Sequence, residues 1–480
     1  MKKIMGLWDI VFMNVAAIIG LRWLPIAAGY GASAISLWVI AAILFFIPLG
    51  LVSTELATTW PEEGGLYVWT KKAYGDRMAF LVSWFYWTNT FFFLPALLTF
   101  ITVTFSFIIN PALASNKTFI CTTVLIILWT STVLNIRGLR LLKWIANIGG
   151  ICGVLLPGLI IATLALVAVF VWHRPVPTDY SWSQWLPHLG SESNIAFLST
   201  LMFSMAGIEI TPIIAGETHR PEKTFPRAVF ISAIIIVVFY ILGTVMMTWM
   251  IAPEKIGAAS GIMDAFNLIT QEFHLPYLVA GMASLIILGG ISGANVWSVV
   301  PLKMFLESTK EGIIPKYLTH INSNDMPDHA LILQSSIISI IVITTALLPS
   351  VNMFYEILVL MATIVYFIPY LVMFLAFIKL RKTHANQHRP YKIPGNNSFA
   401  YAIAIIGFCS VALAIILPVF APPKDIITLR ALIFYRVEVI AGPVLFFLSG
   451  YLLYAIYEHR MRIINLKTIS TIKNHIKSIS

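Results

Sequence analysis

The chain has 480 residues, of which 59% are apolar and 11% are charged, and its formal net charge at pH 7 is +10. Soluble domains carry about 25% charged residues, so this composition excludes an ordinary soluble globular protein and indicates a membrane protein. The basic excess does not indicate nucleic-acid binding, because most Lys and Arg residues fall in short loops between apolar segments.

Twelve apolar segments recur along the chain, and each is long enough to cross the hydrocarbon core of a bilayer as a helix. We predict these spans at 6–30, 34–57, 78–109, 118–135, 144–172, 194–216, 228–252, 275–307, 330–349, 353–379, 399–421 and 437–457. They lack the period-2 alternation of barrel strands, and the first lacks a signal-peptide cleavage site. The predicted fold class is therefore an all-α polytopic membrane protein with about 12 transmembrane helices.

The loops of this arrangement alternate in their content of basic residues. With both termini in the cytoplasm, most of the 31 Lys and Arg residues fall on the cytoplasmic side, as the positive-inside rule requires. We therefore expect a multi-pass protein of the cell membrane (plasma or inner membrane) with cytoplasmic N- and C-termini. The basic tail after His459 is expected to contact anionic lipid headgroups, with a gating role as the alternative.

Helix 1 carries a charge, Arg22, near the middle of its apolar segment. Such a charge costs from about 2.5 to more than 10 kcal/mol in lipid, so Arg22 is expected to face protein or water. Gly20 and Pro25 flank it and weaken the helix. A broken membrane helix with a charge at the break is typical of a small-molecule site.

Helix 6 shows a matching feature in the run Ser204-Met205-Ala206-Gly207-Ile208-Glu209, which is followed by Pro212. The offset of five helices predicts an inverted repeat with broken helices 1 and 6. We place the repeats at 1–175 and 190–382, two C-terminal helices at 398–458 and the tail at 459–480. The half-helix ends at such breaks offer unpaired N–H groups, for which a carboxylate is the natural ligand.

Some segments have a purely local interpretation. Residues 262–273 form an amphipathic stretch that is too short to span a bilayer, so we expect it to be re-entrant or interfacial. Glu62 and Glu63 lie near Lys71 and Lys72, which predicts a salt-bridged gate or a solvated turn rather than paired acid and base groups. The three cysteines fall in predicted helices and are expected to pack rather than to form disulfides.

Four stretches, in this order and spacing, resemble the amino acid–polyamine–organocation transporter superfamily. They are Ile18 to Pro25, Trp60-Pro61-Glu62-Glu63-Gly64-Gly65 with Tyr67 and Trp69, Phe203-Ser204-x-x-Gly207-x-Glu209 continuing through Glu217 to Arg220-Pro221-x-x-x-x-Pro226-Arg227-Ala228, and Trp297 to Gly312-Ile313-Ile314-Pro315. The resemblance covers helix 1 to at least helix 10. It implies a secondary transporter.

Within the superfamily, the Glu-Glu-Gly-Gly stretch and Arg389-Pro390-Tyr391-Lys392-Ile393-Pro394-Gly395 most resemble bacterial glutamate/GABA antiporters. Helices 6 and 8 also align with arginine/agmatine antiporters. The resemblance implies that Phe203 is a gate over the substrate, that Trp297 packs on its aliphatic part and that Glu209 is a proton-sensitive coupling residue. The chain departs from the family pattern in several places: Ile18 and Ile19 replace the usual Gly and Ser, Arg22 is additional, Lys303 stands where antiporter relatives often have Arg or Gln, and the long His-rich tail of a glutamate/GABA antiporter is not found.

Arg22 has two interpretations. It binds a substrate carboxylate, or supplies the positive charge that sodium supplies in related folds; alternatively it forms a structural ion pair, for which Glu209 is a candidate partner. The predicted substrate-binding residues are Ile19, Gly20, Arg22, Trp23, Phe203, Ser204, Ala206, Gly207 and Trp297. The predicted coupling or gating residues are Glu209, Arg22 and Phe203. Tyr86 is a further, weaker candidate for the pocket wall, and no catalytic residue, metal or cofactor is predicted.

The predicted function is secondary active transport of amino acids by alternating access, as an antiporter of glutamate, GABA or other zwitterionic amino acids. The alternatives are a proton-coupled symporter and a transporter-like amino acid sensor. An enzyme is not predicted, because the histidines fall in loops, tails or a helix edge and no phosphate-binding Gly-Lys-Ser/Thr motif is present. The expected partners are an amino acid, protons in the coupled alternative, and the lipid bilayer.

Overall fold

The structure is a computed structural model that describes residues 5–62, 64–138, 149, 151–186, 192–209, 218–309, 312–345, 348, 350–420 and 429–479. Within these ranges the regular structure is helical, and the single β-bridge joins Met5 to Thr218. The predicted all-α polytopic fold class is confirmed.

We number the main described helices in chain order. They are α1 Leu7–Ile18, α2 Trp23–Ala28, α3 Ser33–Thr59, α4 Leu66–Tyr74, α5 Asp76–Ile109, α6 Lys117–Ile136, α7 Cys152–Val171, α8 Glu192–Ser204, α9 Pro221–Met250, α10 Gly261–Glu272, α11 Leu278–Ser308, α12 Asp328–Thr345, α13 Val351–Thr383, α14 Asn397–Phe420 and α15 Leu429–Ile479. Each of the twelve predicted spans contains at least part of one of them.

Nine of the described helices are long and apolar enough to cross a membrane. They are α3, α5, α6, α7, α9, α11, α13, α14 and the Tyr435–Ile464 part of α15. Helix α1 and the Asp328–Thr344 part of α12 are shorter apolar helices. The predicted short amphipathic segment is helix α10, and the basic tail continues α15 as helix to Ile479.

Two helices form the centre of the molecule. In the most apolar windows of α5 and α13, 78% and 83% of the residues are buried, against 28% in α9 and 22% in the last span. The outer helices expose side chains that match a lipid environment, whereas α5 and α13 are surrounded by protein. Close packing is greatest between α7 and α11, where a Cβ added to Gly153 would lie 2.2 Å from the Cα of Gly289, so glycine is required there.

Candidate functional site

The first helix is interrupted where its sequence predicts it. Helix α1 ends at Ile18 and α2 begins at Trp23, and Ile19 between them has an extended backbone (φ −67°, ψ 120°). The chain resumes with hydrogen bonds from Trp23 N–H to the Gly20 carbonyl at 3.2 Å and from Leu24 N–H to the Leu21 carbonyl at 3.0 Å. The break therefore leaves irregular backbone inside the protein.

A second interruption lies at the end of α8. After Ser204 the chain makes two tight turns, in which Met205 N–H and Ala206 N–H each donate over 3.1 Å to a carbonyl three residues earlier. Gly207 has φ +123°, a conformation that residues with a side chain rarely adopt. Segment 210–217, where the other half of predicted helix 6 falls, lies outside the described residues.

One side chain from α9 joins the two breaks. The Tyr240 hydroxyl lies 2.8 Å from the Ile18 carbonyl oxygen and 3.0 Å from the Ser204 carbonyl oxygen. It also accepts a hydrogen bond from Gly20 N–H at 3.2 Å. Tyr240 is fully buried and stacks on Trp38 at 4.5 Å. The two breaks are therefore joined through a single hydroxyl group.

Glu209 lies at the second break and is 1% exposed. Its Oε1 accepts a hydrogen bond from the Tyr366 hydroxyl at 2.8 Å, and its Oε2 accepts one from Gly207 N–H at 3.1 Å. The Tyr366 hydroxyl is also 3.3 Å from that of Tyr86, and the Tyr370 hydroxyl accepts from Gly207 N–H at 3.2 Å. Tyrosines of the central helices α5 and α13 thus hold the break.

Arg22 is 5% exposed, and its guanidinium lies between two aromatic rings. The Cζ atom is 4.2 Å from the centre of the Trp23 ring and 4.4 Å from that of Phe93. Its buried Nη1 has no hydrogen-bond partner. No carboxylate of the described residues lies within 4 Å of this group, so an ion pair with Glu209, one of the two interpretations, is not formed here.

Further aromatic rings connect Arg22 with the second break. Phe203 packs edge-on against Trp23 at 5.5 Å and against Tyr366 at 5.7 Å. Trp297 lies 4.9 Å from Phe93 and 6.3 Å from Tyr366. A buried cation with a free donor, aromatic walls and two helix ends is an arrangement that can hold a small carboxylate-bearing molecule.

The predicted site residues differ in how they take part. Ring contacts bring Arg22, Trp23, Phe203 and Trp297 together, and Tyr240 adds the backbone of Gly20 and Ser204. The Ser204 hydroxyl donates to the Leu201 carbonyl at 2.7 Å, so its proton is used within α8. Ile19, Ala206 and Gly207 lie in the interrupted backbone.

Sequence reasoning missed four residues of this site: Phe93, Tyr240, Tyr366 and Tyr370. They are aromatic residues in apolar spans, and no local spacing distinguishes them from packing residues. It also missed Glu55, a buried carboxylate near the end of α3. The sequence did contain a signal for Glu55, because it is a charged residue inside the predicted apolar span 34–57. The free-energy cost of a charge in lipid, which was applied to Arg22, applies to it as well.

Two other sequence expectations concern groups outside the site. Lys72 Nζ pairs with Glu62 Oε1 at 2.8 Å, as the salt-bridged alternative predicts, while Glu63 lies outside the described residues.

In the part of the chain that the structure describes, one group of side chains is close enough to share a metal ion. It consists of His320, Asp328 and His329, which lie at the start of α12 and in the loop before it.

Comparison with known proteins places the chain in a family. The family model of amino acid permeases matches residues 5–446. An uncharacterized transporter of Legionella pneumophila is 34% identical over 93% of this chain and 95% of its own length. Two proteins of Lactococcus lactis are also similar: the probable agmatine/putrescine antiporter AguD, 24% identical over 89% of this chain and 90% of its own, and a glutamate/gamma-aminobutyrate antiporter, 23% identical over 81% and 78%. The chain belongs to the amino acid permease family, whose members are multi-pass membrane transporters and take amino acids as small-molecule substrates.

Proposed function

We propose that this protein is an antiporter that exchanges zwitterionic or acidic amino acids by alternating access, with the substrate held between the two helix breaks. The observation that carries the proposal is the Arg22 guanidinium, which is buried in the first break with Nη1 unpartnered. A buried donor of this kind has a large free energy to gain from an acceptor. The Lys and Arg pattern further supports cytoplasmic termini in a cell (plasma or inner) membrane.

A substrate carboxylate is the acceptor that fits Arg22 best. The guanidinium presents several N–H donors in one plane, which suits two-point binding of a carboxylate. Trp23 and Phe93 fix its position from both sides and exclude water, which strengthens the attraction. The same charge repels a second cation, so arginine, agmatine and putrescine are disfavoured relative to glutamate, GABA or neutral amino acids.

The neighbouring residues supply the remaining functions of a transport site. Phe203 contacts Trp23 on one side and Tyr366 on the other, so its rotation would open or close the space between the breaks. Trp297 offers an apolar surface to the aliphatic part of the substrate. Tyr240 positions the two interrupted backbones, so binding at one break is transmitted to the other.

A proton-coupled symporter is the second candidate, and Glu209 favours it. This carboxylate is buried, and its oxygens accept hydrogen bonds from Tyr366 and from the Gly207 N–H. No cation of the described residues pairs with it within 4 Å, so protonation would not break an ion pair. Coupling through Glu209 would make uptake follow a proton gradient even without internal substrate.

Counterflow in proteoliposomes tests the proposal. Vesicles are preloaded with unlabelled glutamate, GABA, alanine, leucine, arginine or putrescine, and uptake of labelled glutamate, GABA, leucine, arginine and putrescine is followed at acidic and neutral pH without sodium. Uptake that requires internal amino acid establishes exchange and names the substrate class. Uptake into empty vesicles driven by a pH gradient establishes symport instead. Preferential exchange of arginine or putrescine would contradict the role assigned to Arg22.

A further inference from the structure

A second group of buried charges lies far along the chain from Arg22, where the end of α3 meets the end of α13. Glu55 is 2% exposed, and its Oε1 lies 3.3 Å from Arg389 Nε and 3.6 Å from Arg381 Nε. Its Oε2 accepts a hydrogen bond from Ile393 N–H at 2.8 Å. We call Glu55, Arg381 and Arg389 the charge clasp.

Two members of the charge clasp make hydrogen bonds, although Glu55 Oε1 itself accepts none. Arg389 donates over 3.0 Å to the carbonyls of His384 and Gln387, which hold its guanidinium within its own loop. Glu55 in turn holds that loop through Arg389 and the Ile393 N–H. These contacts dock the segment between α13 and α14 onto the end of α3.

Arg381 is the exception. Its side chain is 2% exposed, and Nε, Nη1 and Nη2 are all buried without a hydrogen-bond partner. Its surroundings include Leu56 and Leu380, which offer no acceptor, and the Phe377 ring, whose centre lies 5.6 Å from Cζ. Arg389 Nε lies 3.3 Å from the same carboxylate oxygen, so two cations share one anion. A charged group buried in this way destabilises the conformation that contains it.

We propose that Arg381 is a positioning residue of the transport cycle: its guanidinium, which is buried 3.6 Å from a shared carboxylate and makes no hydrogen bond, disfavours the conformation described here and favours one in which the ends of α3 and α13 move apart. Separation would admit water or new acceptors to its three nitrogen atoms. The charge clasp therefore favours separation of the ends of α3 and α13 and does not hold them together.

The position of Arg381 connects this device to the candidate site. Helix α13 carries Tyr366 and Tyr370, which hold the second break, and Arg381 follows Tyr366 by 15 residues, about 22 Å along a continuous helix. Helix α3 follows the first break after only the short α2 and the turn 29–32. Helices α13 and α3 thus connect the charge clasp with both breaks.

Substitution of Arg381 by Met separates this role from that of a structural ion pair. Met keeps much of the apolar volume and removes the unpartnered charge, while Glu55 and Arg389 remain paired. The matched control is Lys382→Met, which removes a neighbouring charge at an exposed position of the same helix. Arg381→Lys restores a charge, and Glu55→Gln leaves two buried cations without an anion.

The main readout is thiol labelling, which needs no substrate. Thr59 is buried beside the clasp, so Thr59→Cys, in a protein whose Cys121, Cys152 and Cys409 are replaced, reports how often this end opens. We expect Arg381→Met to slow maleimide labelling about tenfold and to keep or raise the melting temperature in detergent. We expect Lys382→Met to change neither and Arg381→Lys to restore fast labelling.

Exchange measurements then relate the clasp to transport. We expect Arg381→Met to lower the maximal exchange rate with little change in KM, because the site itself is untouched. Labelling of Arg381→Met at the parent rate, or a melting temperature lowered as in Glu55→Gln, would overturn the proposal. Since labelling and melting do not depend on the transported molecule, failure of the substrate assignment above would leave this result readable.

Discussion

Arg22 and Arg381 are both buried guanidinium groups with unpartnered donors in an apolar protein, yet their surroundings differ. Arg22 lies in an interrupted helix between aromatic rings and has no described carboxylate within 4 Å. Arg381 lies near the end of a continuous helix and shares Glu55 with Arg389. An unsatisfied buried donor can gain its acceptor from a ligand or from a movement. We assign the ligand to Arg22, where the backbone is open, and the movement to Arg381.

The largest effect is expected from Arg22→Met. Loss of a charge-assisted pair with the substrate carboxylate removes about 3 kcal/mol of binding, so KM for exchange should rise about 100-fold. The melting temperature should stay level or rise, because a buried unpaired charge is removed. Radiolabelled counterflow and thermal unfolding in detergent check the two parts. An unchanged KM would show that Arg22 is not the ligand-binding arginine of the pair.

Tyr240→Phe is expected to have the next largest effect. The substitution keeps the ring that stacks on Trp38 but leaves the Ile18 and Ser204 carbonyls and the Gly20 N–H without their shared partner. An unpaired buried group costs about 1–3 kcal/mol, so the melting temperature should fall and the exchange rate should drop about tenfold. The matched control is Tyr451→Phe at an exposed position of α15. Equal behaviour of the two variants would exclude Tyr240 as the link between the breaks.

A smaller effect, confined to pH dependence, is expected from Glu209→Gln. The amide has nearly the same shape, and its oxygen still accepts a hydrogen bond from Tyr366. Its NH2 group cannot accept from Gly207 N–H, which keeps the Tyr370 hydroxyl as its acceptor, and the amide cannot take up a proton at the second break. We expect the rate of exchange to vary less with pH than in the parent protein, with a severalfold change in rate at most. A profile measured between acidic and neutral pH that keeps its parent shape would remove Glu209 from coupling. Glu209 would then no longer differ from Arg22 by acting on the pH dependence of exchange instead of on KM.

The sequence predicted the helices and the first break well, because both depend on local patterns. Apolar segments of about 20 residues mark spans, and Gly20, Arg22 and Pro25 together mark an interruption. What holds the breaks could not be predicted. Tyr240 and Tyr366 come from helices far along the chain, and a tyrosine in an apolar span looks the same whether its hydroxyl joins two backbones or faces a lipid headgroup.

The ion-pair interpretation of Arg22 also shows what local sequence patterns cannot predict. Two opposite charges at matching breaks favour a pair on electrostatic grounds alone. In the structure, tyrosines of α5 and α13 occupy the space around Glu209, while Trp23 and Phe93 enclose Arg22. Packing of aromatic rings from distant helices decides which charges meet, and that packing is absent from any local motif.

The smallest effect is expected from Glu62→Gln, which breaks an exposed pair for comparison with the buried clasp. Glu62 and Lys72 are 2.8 Å apart, as close as many buried pairs, but their side chains are 56% and 33% exposed. Water and salt replace most of such an attraction, which is worth about 0.2–1 kcal/mol, so the melting temperature should fall by a degree or two at most. Exchange should keep its parent rate and KM. Glu55→Gln removes the same charge and should destabilise the protein far more, because the two arginine side chains that remain are only 2% and 9% exposed. If the two variants unfold at the same temperature, burial does not distinguish the charge clasp from an exposed ion pair. The missing hydrogen bonds of Arg381 would then not explain a preference for another conformation.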